Sequence, residues 1–436
     1  MKHFAVLFLL MLAGANAGAQ MFSTTSYMKA VFDNSPDLKA AQEAVQVAKS
    51  AYSVSLYNAA LPSMSITANS PLYGFSDQSH WEGLRFNRNE VVPSAAVAWN
   101  LFDSGRGVLS VKVSRLAQNS AELNLKITMQ SLALTALANY INLIEEKKLL
   151  DVAENNLKDQ QAQHDIAKNL YDSGLQNLIS LLQAETDMRS SQLRLAQAKA
   201  AYQQALVTFN TAINRDDPFA PATLDETVDT STDALPSPEH DLASARQNRY
   251  EMLQQEIALR SADAAYELTK RNQLPEFKLD VSWTRYGLSM FGLTNTSSAD
   301  PNPNYSLAAT LNVPLGFFWL QQHEQIKSAG ATKRTAYDTY EAERRTVVND
   351  VVSARISLEL NINSLDVATF MQQSAAKKLE VVQEQYKQGT SDSTQLSQAQ
   401  SDLLSAQNSY TTALYQTALY RAQYRKAIGE QLWGQQ

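Results

Sequence analysis

The sequence is duplicated, because short landmarks of its first half recur in the same order in its second half. The landmarks are a Leu-Pro dipeptide, a segment that precedes a long run free of proline, and a Tyr-x-x-Gly turn. Residues 61–62 match 274–275, residues 101–105 match 312–316, and residues 171–174 match 386–389. Since both halves must then fold as the same unit, the sequence predicts two structural repeats.

The repeat boundaries follow from composition. We expect one repeat over residues 20–215 and the other over residues 238–430, each made of a helix, two β-strands and a long helical hairpin. Between them, residues 216–237 are rich in Pro, Asp, Thr and Ser and are predicted to be a linker or equatorial segment. Residues 431–436 would be a C-terminal tail.

The first 19 residues have the pattern of a secretory signal peptide. Lys2 precedes an apolar run over residues 4–12, and small residues follow, with A-x-A cleavage sites that end at Ala17 and Ala19. An uncleaved anchor is the alternative, although this run is too short to span a bilayer as a helix. No later segment approaches 18 consecutive apolar residues, so an exported chain of this kind would enter a membrane only as a β-barrel.

Four segments of about 8–10 residues alternate between apolar and polar side chains. They cover residues 63–69, 94–101, 277–284 and 305–313. This length and pattern are typical of outer-membrane barrel strands, which turn one face to lipid and the other to a wet lumen. We place Lys278 and Asp280 on the lumen face, because charges fit a wet lumen better than a packed core. A soluble sheet that is buried on one face remains the alternative at this point.

Long segments after the strands lack the residues that end helices. Residues 106–169 and 321–387 contain no proline and a single glycine each. About 64 residues of α-helix span roughly 95 Å, which is longer than a compact domain needs. Beyond Gly174 and Gly389, large and small residues recur at heptad spacing, which indicates close helix packing. Each long helix is therefore predicted to return as a helical hairpin, because glycine lets the backbone turn sharply.

Four strands are too few to close a barrel, and open sheet edges are not tolerated in lipid. Several copies must therefore pool their strands, and three copies would contribute twelve strands and twelve helices around one axis. The predicted fold class is mainly α with transmembrane β. The duplicated unit would form a trimer in which a 12-strand β-barrel is continued by a 12-helix α-barrel.

Composition argues against several other functions. A net charge of −7 with no Lys/Arg-rich run is unlike a nucleic-acid-binding protein. The absence of cysteine excludes disulfides, a thiolate nucleophile and Cys-ligated metals. The five histidines are scattered, and no His-Glu-x-x-His, Gly-x-Ser-x-Gly or P-loop motif is present. We expect no enzymatic activity, no cofactor and no metal site.

The duplicated order of these features resembles the TolC-like outer membrane efflux proteins, over nearly the whole chain after the signal peptide. The resemblance rests on the two Leu-Pro helix ends, the Trp-Asn-Leu-Phe-Asp-Ser-Gly segment at residues 99–105, and the tip segments 171–184 and 386–399. It implies a homotrimeric, passive exit duct for drug efflux or type I secretion, located in the outer membrane and tapering to a closed end in the periplasm. It also implies outer membrane lipid, a periplasmic adaptor and an inner-membrane transporter as partners. The competing hypothesis is an exported structural or adhesive coiled-coil protein without a pore.

By the same resemblance, the turns between the long helices form the periplasmic entrance, and residues just after them line its constriction. The matching residues are Tyr171, Asp172, Gly174, Ser180, Tyr386, Gly389, Asp392, Gln395 and Gln398. Tyr386 occupies a position that makes closing contacts in the family.

The chain departs from the family pattern at the tip. Gln395, Gln398 and Ser180 replace acidic residues, and Ser391 replaces an arginine. Asp392, and Asp172 with it, would supply a ring of carboxylates at a different level. The alternative is that these aspartates only cap helices after the turns.

Overall fold

The computed structural model describes residues 21–69, 72–77, 80–86, 90–229, 231, 235–285, 288–289, 303–314, 318–388 and 390–433. The predicted signal peptide and Gly389 lie outside these residues.

The described residues form eight helices and nine strands. The helices are α1 (Thr24–Asn34), α2 (Pro36–Ala60), α3 (Arg106–Asp172), α4 (Leu178–Ala212), α5 (Pro238–Asn248), α6 (Tyr250–Arg271), α7 (Phe318–Lys387) and α8 (Ser393–Ala427). The strands are β1 (Met21–Phe22), β2 (Ser63–Asn69), β3 (Leu72–Asp77), β4 (His80–Phe86), β5 (Glu90–Phe102), β6 (Thr223–Leu224), β7 (Glu276–Arg285), β8 (Leu288–Ser289) and β9 (Pro303–Asn312).

Two compact units organise the chain, and each takes segments from both sequence halves. The helical unit comprises the described residues of Met1–Lys39, Ile127–Arg249 and Val347–Gln436. The sheet unit comprises those of Ala40–Lys126 and Tyr250–Thr346.

The helical unit has a core of buried aromatic and aliphatic side chains. Tyr27 stacks on Phe209 with ring centroids 4.0 Å apart. The Tyr140 hydroxyl lies 2.8 Å from the carbonyl oxygen of Phe22 and 2.6 Å from that of Asp225. Burial raises the pKa of Tyr140 to about 12, so this hydroxyl keeps its proton as a donor. These contacts tie α3 to the short parallel pair formed by β1 and β6.

One helix of the described chain, α3, contains an 18-residue window apolar enough for a membrane span, with a mean hydropathy of 1.2. However, 39% of that window is buried inside the protein. Residues of α3 between Ala133 and Ile144 belong to the core cluster of the helical unit. This combination is typical of a core helix.

The sheet unit contains an antiparallel sheet with the strand order β2-β5-β7-β9, and β8 pairs with the start of β5. These four main strands are the four that the sequence predicts. The two Leu-Pro dipeptides separate helices from strands, because α2 ends at Ala60 before β2 and α6 ends at Arg271 before β7. Pro36 is the first residue of α2, and the Ser35 side chain accepts a hydrogen bond from the Leu38 amide at 3.3 Å.

Some elements differ from the sequence prediction. Between β2 and β5 the structure adds the β3–β4 hairpin, and α1 precedes the predicted first helix. The opening helix of the second half was predicted to be continuous, but Arg249 divides it into α5 and α6 with an extended ψ of 126°.

The break at Arg249 has a packing cause. The Arg249 guanidinium donates to Asp350 at 2.9 Å. Gly429 lies so close to this backbone that a Cβ there would approach Arg249 N and Asn248 C to 2.9 Å. Tertiary contacts of the α5–α6 junction therefore override the local helical pattern.

Candidate functional site

The candidate site lies at the turns of two helical hairpins in the helical unit. The first hairpin is α3 with α4, and the second hairpin is α7 with α8. Contacts between these two turn regions are the feature that an entrance gate requires, so we describe each turn before the contacts that join them.

The first turn is closed by glycine. Gly174 has a φ of +72°, and its amide donates to the Tyr171 carbonyl at 2.9 Å. The Leu175 amide donates to the Leu170 carbonyl at 2.9 Å, which completes the helix end. A Cβ on Gly174 would meet no atom within 4 Å, so the backbone conformation rather than crowding favours glycine here.

The two predicted aspartates have different places. Asp392 is the N-cap of α8, where its side chain accepts from the Gln395 amide at 2.8 Å. Asp172 is the last residue of α3 and is exposed. The cap of α4 is Asn177, which accepts from the Ser180 amide at 3.0 Å. The capping interpretation therefore describes Asp392 but not Asp172.

Four side-chain contacts join the two hairpins near their turns. Gln176 Nε2 donates to the Tyr386 hydroxyl at 3.2 Å, and the Ser180 and Ser393 hydroxyls lie 3.5 Å apart. Ser397 Oγ donates to Asp187 Oδ2 at 2.7 Å, and Gln160 Nε2 donates to Gln400 Oε1 at 3.1 Å. We call these four contacts the tip latch. Asp187 is the only charged member among them, so the tip latch depends on hydrogen bonds rather than on ion pairs.

A small polar cavity of about 30 Å³ lies inside the tip latch. It is lined mainly by Gln and Ser side chains, together with Asp187 and Tyr386. Gln176 Oε1 is buried there and accepts no hydrogen bond from the described residues. A buried acceptor without a partner costs about 1–3 kcal/mol, so the hydrogen bonding of the tip latch is only partly satisfied.

The constriction residues predicted on α8 are exposed. Gln395 and Gln398 lie on the same helix face as Asp402, one and two turns after the Asp392 cap. Gln398 Nε2 donates to Asp402 Oδ1 at 2.7 Å, while Lys378 Nζ donates to Asp402 Oδ2 at 2.6 Å. The hydrogen bond from Lys378, followed by that from Gln398, lowers the pKa of Asp402 below its usual value. An acidic group is thus present on this face, but a turn beyond the two glutamines.

The outer surface of the first turn is apolar. Leu175 and Ile179 are 77% and 76% exposed, and Leu178 and Leu182 are about half exposed. Apolar side chains clustered at an exposed turn commonly mark a protein contact surface.

The sheet unit has a functional feature of its own, because its register keeps apolar and polar residues in separate rows. One row pairs Met64, Val97, Val281 and Leu307 across all four strands. Another pairs Thr67, Ser94, Thr284 and Asn304 in the same way. Since alternate side chains project to opposite faces, the sheet has one apolar face and one polar face.

Lys278 and Asp280 both lie on the face of the sheet that carries the polar rows. Lys278 pairs with Asn100 and Thr310, whereas Asp280 pairs with Ala98 and Ala308. Lys278 Nζ also lies 3.0 Å from Glu276 Oε1. The register therefore places both residues on the face opposite to the exposed apolar rows, where Met64 is 79% exposed.

Sequence reasoning missed several tip residues. Gln176, Asp187, Ser397 and Gln400 complete the tip latch, and Lys378 holds Asp402. The available signal was heptad spacing, because Asp187 follows Ser180 by two turns and Ser397 follows Ser393 by one.

Two helical hairpins with joined turns, together with a four-stranded sheet that exposes an apolar face, define an outer membrane channel subunit. Residues 28–215 and 242–430 match a family model described as outer membrane efflux protein. The chain therefore belongs to the outer membrane efflux protein family, and it is an efflux channel of the outer membrane. The matches give no support to a structural or adhesive coiled-coil protein without a pore.

Solved channels share this fold over nearly the whole chain. CusC matches with a TM-score of 0.78 and 16% identity, covering 93% of this chain and 92% of that one. The Campylobacter jejuni CmeC outer membrane channel matches with a TM-score of 0.75 and 15% identity, covering 93% of this chain and 85% of that one. The Neisseria gonorrhoeae MtrE channel, solved in an open state, matches with a TM-score of 0.76 and 19% identity, covering 94% of this chain and 89% of that one. No curated protein matches the sequence.

Proposed function

We propose that three copies of this chain form a passive exit duct that is closed at its periplasmic tip by the tip latch. The duct receives its cargo from an inner-membrane transporter, to which a periplasmic adaptor joins it. Energy comes from the transporter, since the duct itself performs no catalysis.

The separate apolar and polar rows of the sheet are the observation that carries this proposal. Met64 and Leu307 occupy one apolar row and are 79% and 71% exposed. Exposed apolar side chains in a continuous row are costly in water but stable against lipid. The polar rows, with Lys278 and Asp280, would then face a water-filled lumen.

The number of strands supports assembly. The path β2-β5-β7-β9 has two edge strands, β2 and β9. Their backbone groups need partners within a membrane, and four strands are too few to close on themselves. Three copies would give a twelve-stranded barrel with no edge, in which every neighbouring pair remains antiparallel.

The tip latch would act as the gate. Its contacts join two hairpins of one copy, so separating these hairpins requires the loss of a few hydrogen bonds. Each such bond contributes about 0.5–1.5 kcal/mol net, which an adaptor that binds the open form would supply. Exposed Gln395 and Gln398 would line the passage beside it, together with the partly exposed Asp402, and their mainly neutral character predicts weak selectivity among ions.

The adaptor would bind at the exposed turn. Leu175 and Ile179 offer apolar contact area, and Gly174 leaves the space beside its Cα free of side-chain atoms. These features favour helices of a partner that approach the turn closely.

The experiment that tests this proposal is a detergent-corrected mass measurement on protein extracted from an outer membrane fraction. We expect a mass of three chains, recovered only with detergent. A monomer or dimer recovered without detergent would contradict the proposed duct.

A further inference from the structure

We infer that the helical unit binds a small amphipathic carboxylate in a pocket between α1, α3 and α8. The ligand class is a molecule with an apolar chain or ring system that ends in one carboxylate. Neither the proposed trimer nor the tip latch requires this site, so the inference goes beyond the proposed duct.

The pocket has the size of a small-molecule site. Its volume is about 500 Å³, within the range of about 300–1,000 Å³ that is usual for such sites. Helix α1 lines it with Thr25, Met28 and Phe32, which recur at i, i+3 and i+7. Helix α3 lines it with Leu137 and Ile141, one turn apart. Each helix therefore turns one face to the same space.

The rest of the apolar wall comes from α8 and from two shorter segments. Ala418 and Ala422 lie one turn apart on α8 and are buried, and their small side chains leave room beside this helix. Val228, Leu432 and Trp433 complete the apolar lining. An apolar ligand body would thus leave water on several sides, and each Å² of apolar surface that is removed from water contributes about 25 cal/mol.

Arg421 supplies the group that would bind the carboxylate. It lines the pocket from α8, and its side chain is 14% exposed. Its Nη1 donates to Ser231 Oγ and lies 3.5 Å from Asp229 Oδ1. Its Nε is buried and has no acceptor among the described residues. Because an unpaired buried donor on a charged group is costly, a ligand oxygen that accepts a hydrogen bond from this guanidinium would be favoured.

The surrounding charges favour a single negative charge on the ligand. Three cationic and two acidic side chains line the pocket, and they are Lys29, Arg421, Arg425, Asp33 and Asp229. Their sum is a net charge of +1 (3 minus 2). Glu430 pairs with Arg425 at 2.8 Å, so Arg421 and Lys29 are the cations that remain for a ligand. One carboxylate matches this lining, whereas a dianion would be repelled by the two aspartates and a cation by the excess positive charge.

A bound molecule would contact both helical hairpins of the chain. The helix α3 belongs to the first hairpin and α8 to the second, and both line the pocket. A ligand that binds the folded unit but not the unfolded chain stabilises the fold by mass action. Occupancy of the pocket should therefore strengthen the packing of the two hairpins at this level.

Isothermal titration calorimetry of the detergent-extracted full chain with decanoate tests this inference. Heats of injection into protein-free micelles are subtracted, and decylammonium and decyl phosphate are titrated in parallel. We expect one decanoate per chain, bound at least tenfold more tightly than either of the other two compounds.

Two substitutions on α8 form a matched pair. Arg421→Gln should weaken decanoate binding at least tenfold, because it removes the charge and the Nε donor. Lys426→Gln also removes a positive charge from α8, but Lys426 is not among the lining residues, so the affinity should be unchanged.

A third variant separates loss of the site from an effect of Arg421→Gln on folding. Thr25→Trp fills the pocket from an exposed position of α1 and keeps every charge. It should abolish saturable decanoate binding, and decanoate should raise the midpoint of thermal unfolding of the natural protein but not of this variant. Equal heats for the natural, Arg421→Gln and Thr25→Trp proteins would overturn the site. Decylammonium or decyl phosphate that binds as tightly as decanoate would overturn its assignment to a carboxylate.

Discussion

At the scale of single residues, Gly174 combines a left-handed backbone conformation with free space beside its Cα. Its φ of +72° lies in the left-handed region, where a side chain costs about 1–2 kcal/mol for most residues. Asparagine adopts this region more readily than alanine. Because no atom lies within 4 Å of the position of a Cβ, a side chain here would project freely from the turn.

We predict that Gly174→Asn keeps the thermal stability of the channel within about 1 kcal/mol but weakens adaptor binding at least tenfold. The asparagine retains the backbone turn while it blocks the close approach of a partner. Affinity for the adaptor, measured by surface plasmon resonance on detergent-solubilised channel, checks this expectation.

The matched control is Asp172→Asn, an exposed change two residues earlier that adds no bulk. Adaptor binding that is unchanged by Gly174→Asn would show that this turn is not the docking surface.

The tip residues also show what sequence could not predict. Tyr386 and Ser180 were assigned to the tip by the family resemblance, and the structure gives them Gln176 and Ser393 as partners. These pairs depend on how one hairpin is shifted along the other. Heptad spacing fixes which face of a helix packs, but it does not fix that shift.

At the scale of elements, α7 and α8 are joined below their turn by Lys378 and Asp402. The hydrogen bond from Lys378 lowers the pKa of Asp402 below its ordinary value of 3.8. A carboxyl group with a lowered folded-state pKa stabilises the fold above its unfolded pKa, and this contribution is lost as the pH falls through the folded value. Since both side chains are partly exposed, the pair contributes about 0.2–1 kcal/mol.

We predict that Asp402→Asn lowers the stability of the channel by this amount at pH 7 and by less at pH 2, because the contribution of the carboxylate is lost as the pH falls from the unfolded-state pKa through the lowered folded-state pKa. Thermal unfolding across this pH range, followed by circular dichroism, measures the difference. Asp366→Asn serves as a control, since Asp366 is exposed on α7 and forms no ion pair among the described residues. An equal loss of stability at both pH values on Asp402→Asn substitution would contradict a stabilising Lys378–Asp402 ion pair.

The elements themselves follow well from local signals where such signals exist. Leu-Pro ends α2 and α6, because proline lacks the amide donor and restricts the residue before it. The predicted alternation of apolar and polar residues in the four main strands is also present in their register. In contrast, β1 and β6 contain two residues each, which is too short for any period, and the break at Arg249 arises from its contacts with Asp350 and with the backbone near Gly429.

At the scale of the whole molecule, a chain with four main strands and two long hairpins is incomplete as a channel. Its sheet has an exposed apolar face, and α2 carries an exposed apolar stripe of Val47, Val54 and Tyr57. Both features are resolved by the same assembly, in which neighbouring copies share strands and helices. In the proposed trimer the tip latch would be present in three equivalent places, so a small change in one contact would be repeated three times.

The central claim is that this assembly conducts and that the tip latch keeps it closed. Single-channel recording in planar lipid bilayers tests it most directly, with the natural channel compared with Tyr386→Phe/Ser397→Ala. Each lost hydrogen bond should shift the balance between open and closed forms by about fivefold, at roughly 1 kcal/mol per bond. We therefore predict a mostly closed natural channel, a double variant that is open at least fivefold more often, and an unchanged Ser374→Ala control. A complete lack of channel activity, or equal opening of the natural and double-variant proteins, would contradict the account.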